Sequence, residues 1–151
     1  RPFALYAAKF CVVAKMALLT QIWLLVLFLI GGKLGAGLTG FPPPEILLWL
    51  LRGAVGGLPI IAIQLLLSMV IRNFALPVLM ALGGSILGLM ATTSNAGLFW
   101  PYSLMLMGMN SNRTEDVMTG QLPGFFLSCI IFLAIFLLTA DAVLAKQDVK
   151  A

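Results

Sequence analysis

The sequence predicts an all-α protein, a polytopic membrane bundle with four spanning helices. Of its 151 residues, 62% are hydrophobic and 9% charged, against about 45–50% and about 25% in soluble domains. Long apolar runs recur without the two-residue alternation of a barrel strand. Two of these runs meet at Arg72-Asn73, flanked by Pro59 and Pro77. A hairpin with such continuously apolar arms is accommodated by a bilayer and not by water.

A helix needs about 20 apolar residues to cross a ~30 Å hydrocarbon core. Four segments meet that requirement: 10–30, 46–71, 74–96 and 123–144. Residues 31–45 are Gly-rich and end in Pro42-Pro43-Pro44, which stops one helix and pre-sets the next. The second segment exceeds a minimal span, so it tilts or starts in the interface. Residues 71–74 form a very tight turn. The third span closes on Thr92-Thr93-Ser94-Asn95, read as its exit into the outer interface, with an outer vestibule wall as the alternative. Residues 98–109 stay apolar but are too short to cross, which fits a short interfacial or re-entrant element. Trp100, Pro101 and Tyr102 at its start are expected at the outer interface, where Trp and Tyr concentrate. The chain opens with Arg1 and runs directly into apolar sequence without a signal-peptide pattern. Residues 1–151 therefore read as the C-terminal part of one transmembrane domain of a longer protein.

The positive-inside rule orients the bundle. With both termini inside, Arg1, Lys9, Arg72, Lys146 and Lys150 fall on the cytoplasmic side, and Lys15 snorkels toward it. Lys33, Arg52 and Arg113 then lie outside.

Several chemistries are disfavoured. Histidine is absent, which removes His-dependent nucleophiles and the H-E-x-x-H zinc proteases. Paired intramembrane carboxylates are missing too, since only Asp141 falls in a span. The expectation is no catalytic site, no cofactor and no metal in this chain. Its basic residues are scattered, so no nucleic-acid surface is expected. Gly35-Ala36-Gly37-Leu38-Thr39-Gly40 matches G-x-G-x-x-G by accident, because a dinucleotide site needs a strand before it and a helix after it. Met105, Met107 and Met109 resemble a soft-metal site but lack Cys or His companions, so they read as adaptable packing. Cys11 and Cys129 read as small apolar residues rather than a disulfide. Asn112-Arg113-Thr114 fits the N-glycosylation pattern on the outer side. Gly53–Gly57 and Gly84–Gly88 permit close helix approach, within one subunit rather than at a dimer seam.

Gln64 is the amide near the middle of the second span. Such a group needs a partner or a cavity. An interhelical hydrogen bond is the preferred reading, and a wall position on a substrate path is the alternative. Pro59 and Pro77 are read either as bending points or as static kink or helix-start residues.

The pattern Arg1-Pro2 with Lys9, then Leu58-Pro59…Gln64…Ser68, Arg72-Asn73-Phe74-Ala75-Leu76-Pro77 and Phe99-Trp100-Pro101-Tyr102-Ser103 resembles a known family. Over nearly its whole length the chain is similar to the C-terminal two-thirds of type 2 ABC exporter permeases, in the lantibiotic and bacitracin self-protection branch. That resemblance implies a six-span permease in a bacterial plasma membrane with both termini cytoplasmic, of which this chain supplies spans three to six. It implies ATP on a separate ABC ATPase subunit and a second permease copy or paralogue as partner. The implied action is expulsion of an amphipathic peptide or drug by alternating access. Arg72 and Asn73 would then lie near the ATPase, while Gln64, Ser68, Pro59 and Pro77 would line the path or pack helices. An integral membrane enzyme, or an accessory membrane protein, with its functional residues upstream of Arg1 remains the alternative.

Overall fold

The computed structural model describes residues 2–37, 39–40, 44–94, 96–111, 113 and 115–148, without the side chains of Pro2, Gln147 and Asp148. The expectations for Arg1, Leu38, Pro42, Pro43, Asn95, Asn112, Thr114 and Lys150 lie outside the described residues. The elements are α1 (Pro2–Leu34), α2 (Glu45–Val70), α3 (Ala75–Thr92), a 3-10 turn (Gly97–Phe99), α4 (Pro101–Gly108) and α5 (Leu122–Asp148). No strand occurs among the described residues. Helices α1, α2, α3 and α5 are each long and apolar enough to cross a membrane.

The helix boundaries have local causes. Glu45 sits in the first turn of α2, where a negative charge complements the helix dipole. The turn after α2 closes when Ile71 N–H donates to Leu67 O. Asn73 Oδ1 then accepts the Ala75 amide at 3.0 Å and starts α3. Pro77 lies in the first turn of α3, where its missing N–H costs nothing. Pro59 is different: it stands inside α2, fully buried, and leaves the Val55 carbonyl without its helical donor. The third span ends at Thr92 rather than at residue 96. Thr92, Thr93 and Ser94 turn their hydroxyls back onto the carbonyls of Leu89, Met90 and Ala91, an alternative to continued helix. The first span begins at Pro2 rather than near residue 10, because Phe3 and Tyr6 have core partners to pack against.

The short α4 decides the packing. After α3 ends, residues 96–100 lie back alongside it, and Trp100 Nε1 donates to Gly84 O at 2.9 Å. From there α4 runs between α2 and α3 until Gly108 meets the Arg52 backbone. The short element expected over residues 98–109, interfacial or re-entrant, is α4 together with the 3-10 turn before it. Backbone at membrane depth must be satisfied by protein. Here the single hydroxyl proton of Ser103 is shared between Gly97 O and Trp100 O, two carbonyls of the non-helical approach. Glycines make the space. A Cβ on Gly56 would stand 2.5 Å from Leu104 O, and one on Gly84 would stand 2.7 Å from the Tyr102 ring. On α2 the close approach uses Gly53 and Gly56. Gly57 has only ordinary contact with Met105 Sδ. The glycine faces thus seat α4 within one chain.

Two apolar clusters hold the rest. One joins Leu104, Met107, Met118, Phe125 and Cys129 around α4 and the start of α5. The other joins Tyr6 of α1, Leu66 of α2, and Ala140 and Leu144 of α5. It includes a hydrogen bond from Tyr6 Oη to Ala62 O at 2.8 Å. The bundle therefore has a turn end, carrying the α2–α3 turn with the start of α1 and the finish of α5. The opposite loop end carries α4 and the described residues 109–111, 113 and 115–121. Outward faces stay apolar: Trp23, Phe28, Leu79 and Leu138 are all well exposed, as side chains directed at lipid would be.

Candidate functional site

Between α2 and α3, on the turn-end side of α4, lies an open cleft of about 720 Å³. Its α2 wall carries Ile60, Ile61, Gln64, Leu65 and Ser68. Arg72 and Phe74 form its mouth, Pro77, Val78 and Ala81 its α3 wall, and α1 adds Val13. Gln64 and Ser68 share this wall because residues four apart stack on one helix face, and the turn after Val70 brings Arg72 to the same side. Pro77 completes it from the facing helix. Of the sequence-predicted residues, the cleft thus unites Gln64, Ser68, Arg72 and Pro77. Pro59 is buried in the α2 interior, and Asn73 is occupied with capping α3.

Gln64 is both a wall residue and a tie. Its Nε2 donates to Tyr102 Oη, joining α2 to the start of α4 at the inner limit of the cleft. Ser68 Oγ donates within its own helix, to Leu65 O at 2.8 Å. The aromatic segment packs into the protein rather than standing out from it. Tyr102 is 7% exposed and Pro101 is buried, both inside the bundle, and Trp100 is tied to α3. The cause is the Gly84 gap, which admits the Tyr102 ring, together with the Gln64 amide that its hydroxyl needs as a partner. Tyr102→Phe is expected to lower stability by about 0.5–2 kcal/mol, read as a small drop in the thermal midpoint of the purified protein with its helix content unchanged.

The loop end holds the strongest polar contact. Arg52, 6% exposed, pairs its Nη1 with Asp116 Oδ2 at 2.7 Å and so straps the 109–121 segment to α2. The second carboxylate oxygen accepts the Met118 amide at 2.9 Å. Trp49 Nε1 approaches the same carboxylate without completing a hydrogen bond of normal geometry. Partial burial acts to raise the Asp116 carboxyl. The hydrogen bonds from Arg52 and Met118 and the Arg52 charge outweigh it and hold the group below its ordinary value of 3.8. A carboxylate depressed in this way stabilises the fold fully above the ordinary value and loses that contribution as pH falls below it. Thermal unfolding followed from pH 6 down to pH 3 is expected to show a loss below about pH 4, and Asp116→Asn is expected to flatten that part of the profile.

Beside this pair, Asn110 takes a left-handed backbone with φ 50, a conformation that Asn tolerates. Its Oδ1 accepts the Val117 amide at 3.2 Å. Arg113 Nη2 donates to Thr92 O at 2.7 Å and ties the segment to the end of α3. Thr92, Thr93, Asn110, Ser111 and Arg113 line a cavity of about 510 Å³ there, so the polar end of the third span does face a recess.

Two features were not singled out in the sequence. Gln21 in α1 is 8% exposed with Oε1 unpartnered, and it lines two apolar cavities against α2. An amide in mid-span was the available signal, as for Gln64. The Arg52–Asp116 pair had none, because 64 residues separate its members. The three methionines diverge: Met105 lies near Gly57, Met107 against Gly97 and Met109 against Gly53. No cluster of three His, Cys, Asp or Glu side chains occurs among the described residues. Cys11 and Cys129 are both free thiols.

Fold and site together define an all-α bundle whose four apolar helices fit a multi-pass membrane protein, with a largely apolar cleft between two of them that carries Gln64, Ser68 and Arg72. In comparison with known proteins, no family model, curated protein or solved structure matches the chain.

Proposed function

We propose that this chain is the membrane-spanning permease part of an ATP-driven ABC exporter, acting by alternating access, with the α2–α3 cleft as its substrate path. The observation that carries the reading is the convergence of Gln64, Ser68, Arg72 and Pro77 on one cleft that α4 limits toward the loop end. Polar side chains in an otherwise apolar intramembrane wall are costly unless they serve a path or a partner. Lys9, Lys15, Arg72 and Lys146 belong to the turn half of the bundle, against Lys33, Arg52 and Arg113 toward the loop end. That small excess of basic residues favours a cytoplasmic turn end in a bacterial plasma membrane. A separate ATPase subunit would bear on the exposed Arg72-Asn73 turn, and a second permease copy or paralogue would complete the transporter. ATP is then consumed outside this chain, which itself only binds and re-exposes the substrate.

The test is purification of the full-length protein from its own membrane in mild detergent, followed by partner identification and nucleotide hydrolysis. A Walker-motif ATPase is expected to co-purify, and Arg72→Glu is expected to weaken that association severalfold by reversing the charge at the turn. If no nucleotide-hydrolysing subunit accompanies the wild-type protein, and proteoliposomes show no ATP-dependent transport, the reading fails.

A further inference from the structure

The charge of the cleft restricts what it accepts. Its walls are apolar, with Ile61, Leu65 and Val78 facing the space, and Gln64 and Ser68 add polarity without charge. The amide donor of Gln64 is committed to Tyr102, and the hydroxyl proton of Ser68 to Leu65 O. Among the described residues, Arg72 at the mouth is the one charged residue lining the cleft, and no carboxylate lines it. Among the described residues no hydrogen bond or ion pair engages its guanidinium, which is exposed where α2 gives way to the turn. A cationic amphipathic peptide would bring its charge against Arg72 and find no carboxylate to receive it. An anionic amphiphile meets complementary groups, with an oxyanion for the planar guanidinium fork and hydrocarbon for the apolar walls.

The geometry points to an anionic phospholipid as the occupant of the α2–α3 cleft, its phosphate headgroup on Arg72 and an acyl chain laid between α2 and α3 toward Gln64. From Val70, two residues before Arg72, to Gln64 the helical wall rises about 9 Å at ~1.5 Å per residue, a depth that places a chain within the hydrocarbon layer and its headgroup at the boundary. This assignment rests on the proposed transport path and names its substrate class, in place of the cationic peptide that the family resemblance implies.

The test is native mass spectrometry of the delipidated full-length protein, titrated with phosphatidylglycerol or with zwitterionic phosphatidylcholine. One phosphatidylglycerol is expected to be retained in preference to phosphatidylcholine. Arg72→Gln should lower its apparent affinity about five- to tenfold. Val78→Trp, which fills the cleft while keeping the charge, should lower it comparably. Lys146→Gln removes a charge from the same end outside the cleft and should retain the lipid, and inorganic phosphate at equal concentration should not displace it. Equal retention of the two lipids overturns the assignment. So does equal loss in the Lys146 and Arg72 variants, and so does Arg72-dependent binding of a cationic amphipathic peptide in place of lipid. The measurement uses neither nucleotide nor ATPase. Lipid selectivity without an ATPase partner would therefore defeat only the exporter reading, and an ATPase partner without lipid selectivity only this one.

Discussion

Gly56→Val is expected to unseat α4 and to destabilise the bundle more than any single change at its lipid-facing surface. The Cβ alone would lie 2.5 Å from Leu104 O and 2.9 Å from Met105 N. These are backbone atoms of a helix also held by Gly84, Gly88 and Gly108, so they cannot swing aside as a flexible side chain would. Overpacking a well-packed site costs about 1–3 kcal/mol, and contact with rigid backbone belongs at or beyond the upper end. The measurement is the thermal midpoint and monodispersity of the purified variant beside Gly83→Val on α3, where a Cβ meets nothing within 4 Å. A large loss at Gly56 with a small one at Gly83 is the expected result. Equal effects would mean that α4 does not occupy the groove between α2 and α3.

The second large effect is expected at the strap. Asp116→Ala removes the carboxylate and leaves the Arg52 guanidinium buried without its counter-ion, with Nε already unpartnered. Breaking a buried pair from one side costs about 3–5 kcal/mol, and the partial exposure of Asp116 places the loss toward the lower figure. Replacing both partners by apolar residues of similar volume, Arg52→Met with Asp116→Leu, should recover most of it, because neither charge is then stranded. Unfolding midpoints of the two single variants and the double variant form the required cycle. Additive losses would show that the pair contributes nothing jointly.

These two sites also mark the boundary of what the sequence could disclose. The four spans were legible because hydropathy over about 20 residues is a local property with a large energetic consequence. That residues 98–109 form a short element rather than a span followed from length alone. The depth at which α4 sits did not, because it is set by glycines on two other helices. Gln64 stood out as a lone amide in an apolar run, but its partner Tyr102 was read as a boundary residue from its neighbours Trp100 and Pro101. Burial of Tyr102 depends on the gap at Gly84, which no local pattern announces. Arg52 enters the sequence reading only as an outer-side charge near the start of the second span, whereas its closure onto Asp116 is a tertiary event. Gln64, Ser68, Arg72 and Pro77 could be gathered in advance because one helix face and one tight turn already determine their proximity.

The wedge at α4 also has a mechanical meaning. At the loop end, α2 and α3 are held apart at a fixed spacing by a solid element with backbone-to-backbone contacts. At the turn end they are joined only by four residues of chain. Any rocking of α3 against α2 that keeps those contacts must use Gly84 and Tyr102 as a fulcrum. The arm from Gly84 down to Ala75 measures about 14 Å at ~1.5 Å per residue. On such a lever a small rotation at the fulcrum becomes a displacement of ångströms at Phe74 and Arg72, so motion is amplified where the cleft opens and suppressed where the strap closes.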